Sequence, residues 1–323
     1  MYSRSSPNQN YDLHILTIDM EKFELYILGC GSALPTTRHQ ATSQVVNIRE
    51  KLFMIDCGEG TQVQLRRSKL KFSRLNHIFI SHLHGDHCFG LIGIISTFGM
   101  MERTADLHIY AMKDLQPILE QQIDYFCQGM AYKVVFHPID PNKKEVIYDD
   151  RSVSIETIPL KHRVPTCGFI FREKPTPNHI IREMIDFHQI PLWMINRIKN
   201  GEDYVKEDGT LVPNSVLTIP SDKARTYAYC SDTSFQPHIV EQIKGVDLLF
   251  HEATFAQSEA IRARQTLHST AKQAATIARD AEAKRLVIGH FSARYDTEDV
   301  LLEEAQSIFP STILAKENLM IEI

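Results

Sequence analysis

Short apolar runs alternate with stretches of helical spacing along most of the chain. The runs at 23–28, 44–48, 52–55, 78–80, 107–112, 132–136, 153–158, 225–230, 246–250 and 285–288 predict strands. The pair 44–48 and 52–55 reads as a hairpin. Residues 61–70, 89–100, 114–126 and 270–281 predict helices. This order predicts an α/β chain whose sheets are covered by helices on their outer faces. Residues 172–215 break the pattern. Pro175, Pro177, Pro191, Pro213, the single Trp193 and the turns Asn200-Gly201 and Asp208-Gly209 crowd together there. Core-like strands resume afterwards, so the segment is expected to protrude from one domain spanning residues 21–323. Residues 1–20 are polar and are expected to be a mobile N-terminal tail, with Met20-Glu21-Lys22 a plausible beginning of the fold.

Composition narrows the class. The chain has 323 residues, 43% hydrophobic and 23% charged, enough to build a real core. A net charge of −5 argues against a globally basic nucleic-acid binder, so any RNA contact has to use local patches or metal charge. No apolar stretch approaches the length of a membrane span, and residues 1–20 lack a signal peptide's apolar centre. A cytoplasmic protein without a membrane partner is expected. Cys30, Cys57, Cys88, Cys127, Cys167 and Cys230 include no Cys-x-x-Cys pair and read as small buried hydrophobes rather than a disulfide framework.

The chemistry concentrates after the strand at 78–80. His82, His84, Asp86 and His87 fall within six residues. Two histidines two apart on a strand-like backbone point to one side, and Gly85 permits the turn that follows. Asp86 suits either a helix N-cap or a ligand. Imidazole and carboxylate are zinc donors, and Cys88 is not needed among them. Three later strand ends also deliver donors: His162, Asp232 and His290. Taken singly, His162 reads as structural and Asp232 equally as an N-cap. Together the seven groups exceed what one zinc needs, which implies a metal pair with Asp232 as the natural bridge. Glu252, within His251-Glu252-Ala253-Thr254, and His268, opening a helix at His268-Ser269-Thr270, can act together. The carboxylate would orient an imidazole that gives a proton to a leaving group.

The run His82-Leu83-His84-Gly85-Asp86-His87, with Asp56, His162, Asp232 and His290 in order, resembles the metallo-β-lactamase superfamily. Gly29-Cys30-Gly31-Ser32-Ala33-Leu34-Pro35-Thr36, His162-Arg163-Val164-Pro165-Thr166, Ser231-Asp232-Thr233, the two Glu252 and His268 motifs and Gly289-His290-Phe291-Ser292 are together similar to the ribonuclease Z family. These endonucleases remove 3′ trailers from precursor tRNA. The resemblance runs from about residue 23 to the C-terminus. It implies a four-layer αββα sandwich with a protruding arm, a homodimer, a precursor tRNA substrate and no DNA partner. It further implies two zinc ions per chain: one held by His82, His84 and His162, the other by Asp86, His87 and His290, with Asp232 bridging. Asp86 would also be the general base, Glu252 and His268 the proton-delivery pair, and Asp56 a support behind the site. Residues 172–215 would grip the tRNA body. Where that arm commonly carries a Gly-Pro pair, this chain has Pro191-Leu192-Trp193, and six basic residues there face seven acidic ones.

The reaction expected on this basis is attack of a zinc-held hydroxide on the scissile phosphorus, leaving a 3′-hydroxyl on the tRNA and a 5′-phosphate on the trailer. The metal loop alone is shared with small-molecule phosphodiesterases and with thioester or lactone hydrolases, because fold does not decide substrate. The long insertion and the Glu252 and His268 motifs point away from these. A scaffold protein that has lost its chemistry usually loses ligands, and none is missing here.

Overall fold

Alternation along the early strands sets the layering of the computed structural model, which describes residues 21–34 and 36–323. In the strand Lys51–Cys57, Phe53 and Ile55 join the core between two sheets, whereas Leu52 and Met54 join a core with helices. The predicted tail and Pro35 lie outside the described residues.

The first half supplies β1 (Phe23–Gly29), β2 (Ser43–Ile48), β3 (Lys51–Cys57), β4 (Leu75–Phe79), β5 (Leu107–Ala111) and β6 (Val134–Pro138). The second half supplies β7 (Val146–Asp149), β8 (Val153–Pro159) and β9 (Cys167–Glu173). Four short strands follow: β10 (His179–Ile180), β11 (Tyr204–Val205), β12 (Leu211–Val212) and β13 (Thr218–Ile219). The chain then returns to β14 (Thr226–Cys230), β15 (Leu248–Glu252), β16 (Leu286–Gly289), β17 (Thr312–Leu314) and β18 (Met320–Glu322). One sheet has the order β18-β1-β2-β3-β4-β5-β6, the other β17-β16-β15-β14-β9-β8-β7. In each, the strands that carry the chemistry, β3 with β4 and β14 through β16, run parallel.

Phe53, Phe79, Phe169, Phe171, Tyr227 and Tyr229 fill the space between the sheets. On the outer face of the first sheet pack α1 (Thr61–Arg67), α3 (Leu91–Met100) and α4 (Leu115–Phe126), preceded by the short α2 (Gly85–Cys88). The helices α8 (Ala260–Thr266), α9 (Ala271–Asp280) and α10 (Asp299–Gln306) follow β15 and β16, and α9 buries Ala274, Ala275, Ile277 and Ala278. The result is the expected four-layer αββα sandwich. The helix predicted at 89–100 begins earlier, as α2, and breaks at Phe89–Gly90 before α3. Strand β9, buried at every position but Arg172, is not among the strands predicted from sequence.

Between β9 and β14, α5 (Arg182–His188), α6 (Leu192–Lys199) and α7 (Asn214–Leu217) join the paired strands β10/β13 and β11/β12. Their interior is a separate small core of Ile190, Met194, Ile198, Tyr204, Val212 and Leu217. Phe187, Leu192 and Trp193 point outward, each more than two-thirds exposed.

Candidate metal centre

Parallel strands end at a common rim, and side chains just beyond those ends meet there. Asp56 lies at the end of β3, His82 follows β4, His162 follows β8, Asp232 follows β14, Glu252 ends β15 and His290 follows β16. Three of them adopt left-handed backbone, with φ of 55° at Asp56, 53° at Asp232 and 60° at His290. Non-glycine residues bear that strain where the surroundings over-determine it, commonly at functional sites. Close packing ties β3 to the histidine loop: a Cβ added to Gly58 would lie 2.3 Å from the Asp86 carbonyl oxygen.

The seven predicted donors converge. His84 Nδ1 lies 3.0 Å from His82 Nε2 and 3.3 Å from His162 Nε2. One Asp232 oxygen faces this group, 3.6 Å from His82 Nε2 and 3.7 Å from His162 Nε2. The other faces His87 Nε2 at 3.2 Å and His290 Nε2 at 3.1 Å. Asp86 completes that second group, its carboxylate 3.5 Å from His87 Nε2 and 3.6 Å from His290 Nε2. Four ligands around a zinc at about 2.0–2.1 Å stand roughly 3.3 Å apart, which is the spacing seen here. The buried Nε2 atoms of His87 and His290 have no hydrogen-bond partner among the described residues. A cation between them and the two carboxylates satisfies both, so the donor set fits a metal pair.

Each inward-facing imidazole but His84 is aimed from behind. His82 Nδ1 meets the Ser81 hydroxyl at 3.0 Å and His162 Nδ1 meets the Leu267 carbonyl at 3.1 Å. His87 Nδ1 meets Asp56 at 2.8 Å, and His290 Nδ1 meets the Thr254 hydroxyl at 2.9 Å. Such contacts hold tautomer and ring orientation at metal sites. Asp56 is fully buried and also accepts from Ser81 N–H (2.7 Å), Ser81 O–H (2.9 Å) and Tyr229 O–H (2.6 Å). The Asp86 carboxylate accepts the Ala33 N–H at 2.8 Å. Asp86 is therefore not an N-cap; it sits in the first turn of α2, whose N-cap position is His84. No helix begins directly after Asp232 for it to cap.

Charge follows the same map. Burial works against ionised Asp232, but His290 and His87 hold its carboxyl well below the usual range. Burial likewise opposes ionised Asp86, and His290 and His87 again hold it low.

Glu252 and His268 form a second device beside the first. Glu252 is fully buried and meets His268 Nδ1 at 2.8 Å. Its carboxylate also accepts the Thr233 N–H at 2.8 Å and the Thr254 hydroxyl at 2.5 Å. Burial disfavours a charged His268 ring, yet the charge and hydrogen bond of Glu252 outweigh it and raise the pKa to about 9. Thr270, two residues on, caps α9 in a reciprocal capping box with Gln273, so the motif both starts a helix and frees His268 to reach the rim.

Thr254, Tyr229 and Ser81 were invisible as functional groups in the sequence, because a single hydroxyl carries no spacing signal. Their position beside the quoted motifs was the only clue. His251 stands apart: its Nδ1 pairs with the Glu252 carbonyl at 2.8 Å. Cys88 is in none of the donor groups, and its thiol donates to the His84 carbonyl at 3.3 Å. All six cysteines are free. Cys30, His39 and Glu317 form a further cluster, but there the His39 ring is already paired with Glu317 at 3.2 Å and Glu298 at 3.1 Å.

A model of the beta-lactamase superfamily domain matches residues 197–291, and a model of the anti-Pycsar protein Apyc1 matches residues 23–180. Ribonuclease Z of Phocaeicola vulgatus is 69% identical over 304 residues, covering 94% of this chain and 98% of the relative. Ribonuclease Z of Porphyromonas gingivalis is 52% identical over 304 residues, covering 94% and 100%. The crystal structure of human tRNase Z, short form, aligns at a TM-score of 0.66 and 25% identity, covering 92% of this chain and 98% of that one. A long-form RNase Z from yeast shares the fold at a TM-score of 0.64 and 16% identity, covering 94% of this chain and 42% of that one. Sequence identity of this order, sustained along nearly the whole chain, means that it belongs to the ribonuclease Z family, metal-dependent hydrolases of metallo-β-lactamase fold that process the 3′ ends of tRNA.

Proposed function

We propose that this chain cuts the 3′ trailer from precursor tRNA with two zinc ions, one at His82, His84 and His162 and one at Asp86, His87 and His290. Asp232 spans them. The observation that carries the reading is the division of Asp232, one oxygen toward each nitrogen group. Nitrogen and oxygen donors at these separations suit zinc. Bound there, the cations supply positive charge for the phosphodiester and bring the pKa of water toward 7.

The chain's own residues do the rest. Asp86, aimed by the Ala33 N–H, accepts the proton of the attacking water. His268, held by Glu252, gives a proton to the departing 3′-oxygen. Water is thus split between a 3′-hydroxyl on the tRNA and a 5′-phosphate on the trailer. Outweighing the effect of burial on the ring, the buried Glu252 carboxylate raises the His268 pKa to about 9, so the ring holds the proton it has to give. The unit between β9 and β14, which contains most of residues 172–215 and runs on through β13, acts as the arm that grips the tRNA body, using outward Phe187, Leu192 and Trp193 in place of a basic surface. A homodimer is supported by Met100, Met101, Tyr125 and Phe126, all more than half exposed at the ends of α3 and α4. No helix of the described residues is long and apolar enough to cross a membrane, and a cytoplasmic location fits an enzyme acting on tRNA precursors.

The test is to incubate the protein with a 3′-extended tRNA precursor, with and without chelator, and to map the product ends. Cleavage yielding a 3′-hydroxyl on the tRNA, abolished by chelation, is expected. Asp86→Ala should reduce it by about 10²-fold or more. An Asp86→Ala protein cutting at the unaltered rate refutes the assignment. Hydrolysis of a small chromogenic phosphodiester without precursor cleavage would point to a different substrate.

A further inference from the structure

Two cavities border the site, one lined by His268 and the other by the donors His84 and Asp86. One, of about 550 Å³, is lined by His268 together with Lys161, Arg264, Gln236, Ile261 and Gln273, and carries cationic side chains without a carboxylate. The other, of about 390 Å³, is reached from His84 and Asp86 and is bordered by Gly85, Phe89, Glu59 and Arg163. Each is of a size that holds a small organic group, roughly 300–1,000 Å³.

The general acid settles which part of the substrate each side receives. His268 must touch the leaving 3′-oxygen, and that oxygen belongs to the last nucleotide of the tRNA. The tRNA end therefore occupies the cavity of Lys161 and Arg264, and the trailer leaves by the other. There, Phe89 is an anomaly for a water-facing position: an aromatic ring 71% exposed, two residues from His87. The ring lies against Gly85, since a Cβ added there would come within 2.4 Å of it. The missing side chain at Gly85 lets the ring lie against the loop and leave a face to solvent. An exposed ring that shares its cavity with a guanidinium is an arrangement that takes a nucleobase regardless of its identity.

We propose that Phe89 is the stacking platform for the first base of the trailer, with Arg163 holding the backbone phosphate that follows it. This rests on the tRNA reading above. It makes the enzyme sensitive to the presence of a base at the first trailer position but tolerant of which base is there.

Two precursors test it, identical except that one has an abasic ribose at the first trailer position. The unaltered protein is expected to lose about tenfold in kcat/KM on the abasic precursor. Phe89→Ala should lose a similar factor on the natural precursor and little more on the abasic one, at unchanged bound-metal content. Phe89→Trp should keep the discrimination. Arg264→Ala should lower kcat/KM by the same factor on both precursors. The proposal is overturned if the unaltered protein cuts both precursors equally well, a result needing no variant. It is overturned too if Phe89→Ala is impaired equally on both. If the unaltered protein cuts neither precursor, the tRNA reading itself falls, a distinct outcome.

Discussion

A single hydroxyl shows how little of this site works alone. Thr254 donates to Glu252 at 2.5 Å and stands 2.9 Å from His290 Nδ1, so it joins the Glu252–His268 pair to the second donor group. Replacing it with valine keeps the shape and removes both contacts. Thr254→Val is expected to weaken metal retention or activity by about 10–100-fold, the usual cost of losing a group behind a ligand. Metal content after dialysis against a mild chelator, with the activity that remains, measures this; full retention of both would remove Thr254 from the machinery. His268→Ala addresses the neighbouring role. Loss of about 10²–10⁴-fold in single-turnover cleavage at unchanged precursor affinity is expected. A comparable loss of affinity instead would make His268 a binding group.

Among the elements, the unit between β9 and β14 is built differently from the rest. Its core of Ile190, Met194, Ile198, Tyr204, Val212 and Leu217 is separate from both larger cores, while Trp193 on α6 is 68% exposed. Removing an outward ring should not disturb folding, because no buried contact depends on it. Trp193→Ala is expected to raise KM for precursor tRNA several-fold and leave kcat and cleavage of a small phosphodiester unchanged. A fall in kcat on both substrates would show that this element reaches the chemistry. The break between α2 and α3 has a simpler cause. Gly90 N–H donates to the Cys57 carbonyl at the end of β3 at 2.8 Å rather than to the preceding turn, and a Cβ at Gly90 would lie 2.2 Å from the Gly58 carbonyl oxygen, so this close approach needs glycine.

Across the whole molecule, the loop carrying Ala33 is tied to the C-terminal segments through His39. Its ring lies 3.2 Å from Glu317 and 3.1 Å from Glu298. The hydrogen bond to Glu317 raises its pKa above the usual 6.5, against the opposing effect of burial. A histidine raised in the folded chain stabilises fully below its unfolded pKa, and loses that contribution as pH rises through the folded value. His39→Gln should therefore lower the melting temperature more at about pH 6 than at about pH 9. Thermal unfolding at both values checks the sign; an equal or reversed difference would mean that the ring acts by packing alone.

What could be read from the order of residues was chemistry and local form. Apolar runs marked the strands ending at the rim, because a strand buried on both faces is short and unbroken in sequence. The spacing His82, His84, Asp86, His87 spoke for metal on its own, since few other uses put four such donors in six residues. His162, Asp232 and His290 were ambiguous one at a time, and the hydroxyl and peptide groups aiming them were silent. Those depend on parallel strands from distant parts of the chain ending side by side, with Asp56, Asp232 and His290 bent into left-handed backbone at the edge. Only the packed sandwich brings Asp232 between two nitrogen groups, or sets His268 and Phe89 beside separate cavities. Sequence separation carries no information about such distances until the sheets have closed around their common core.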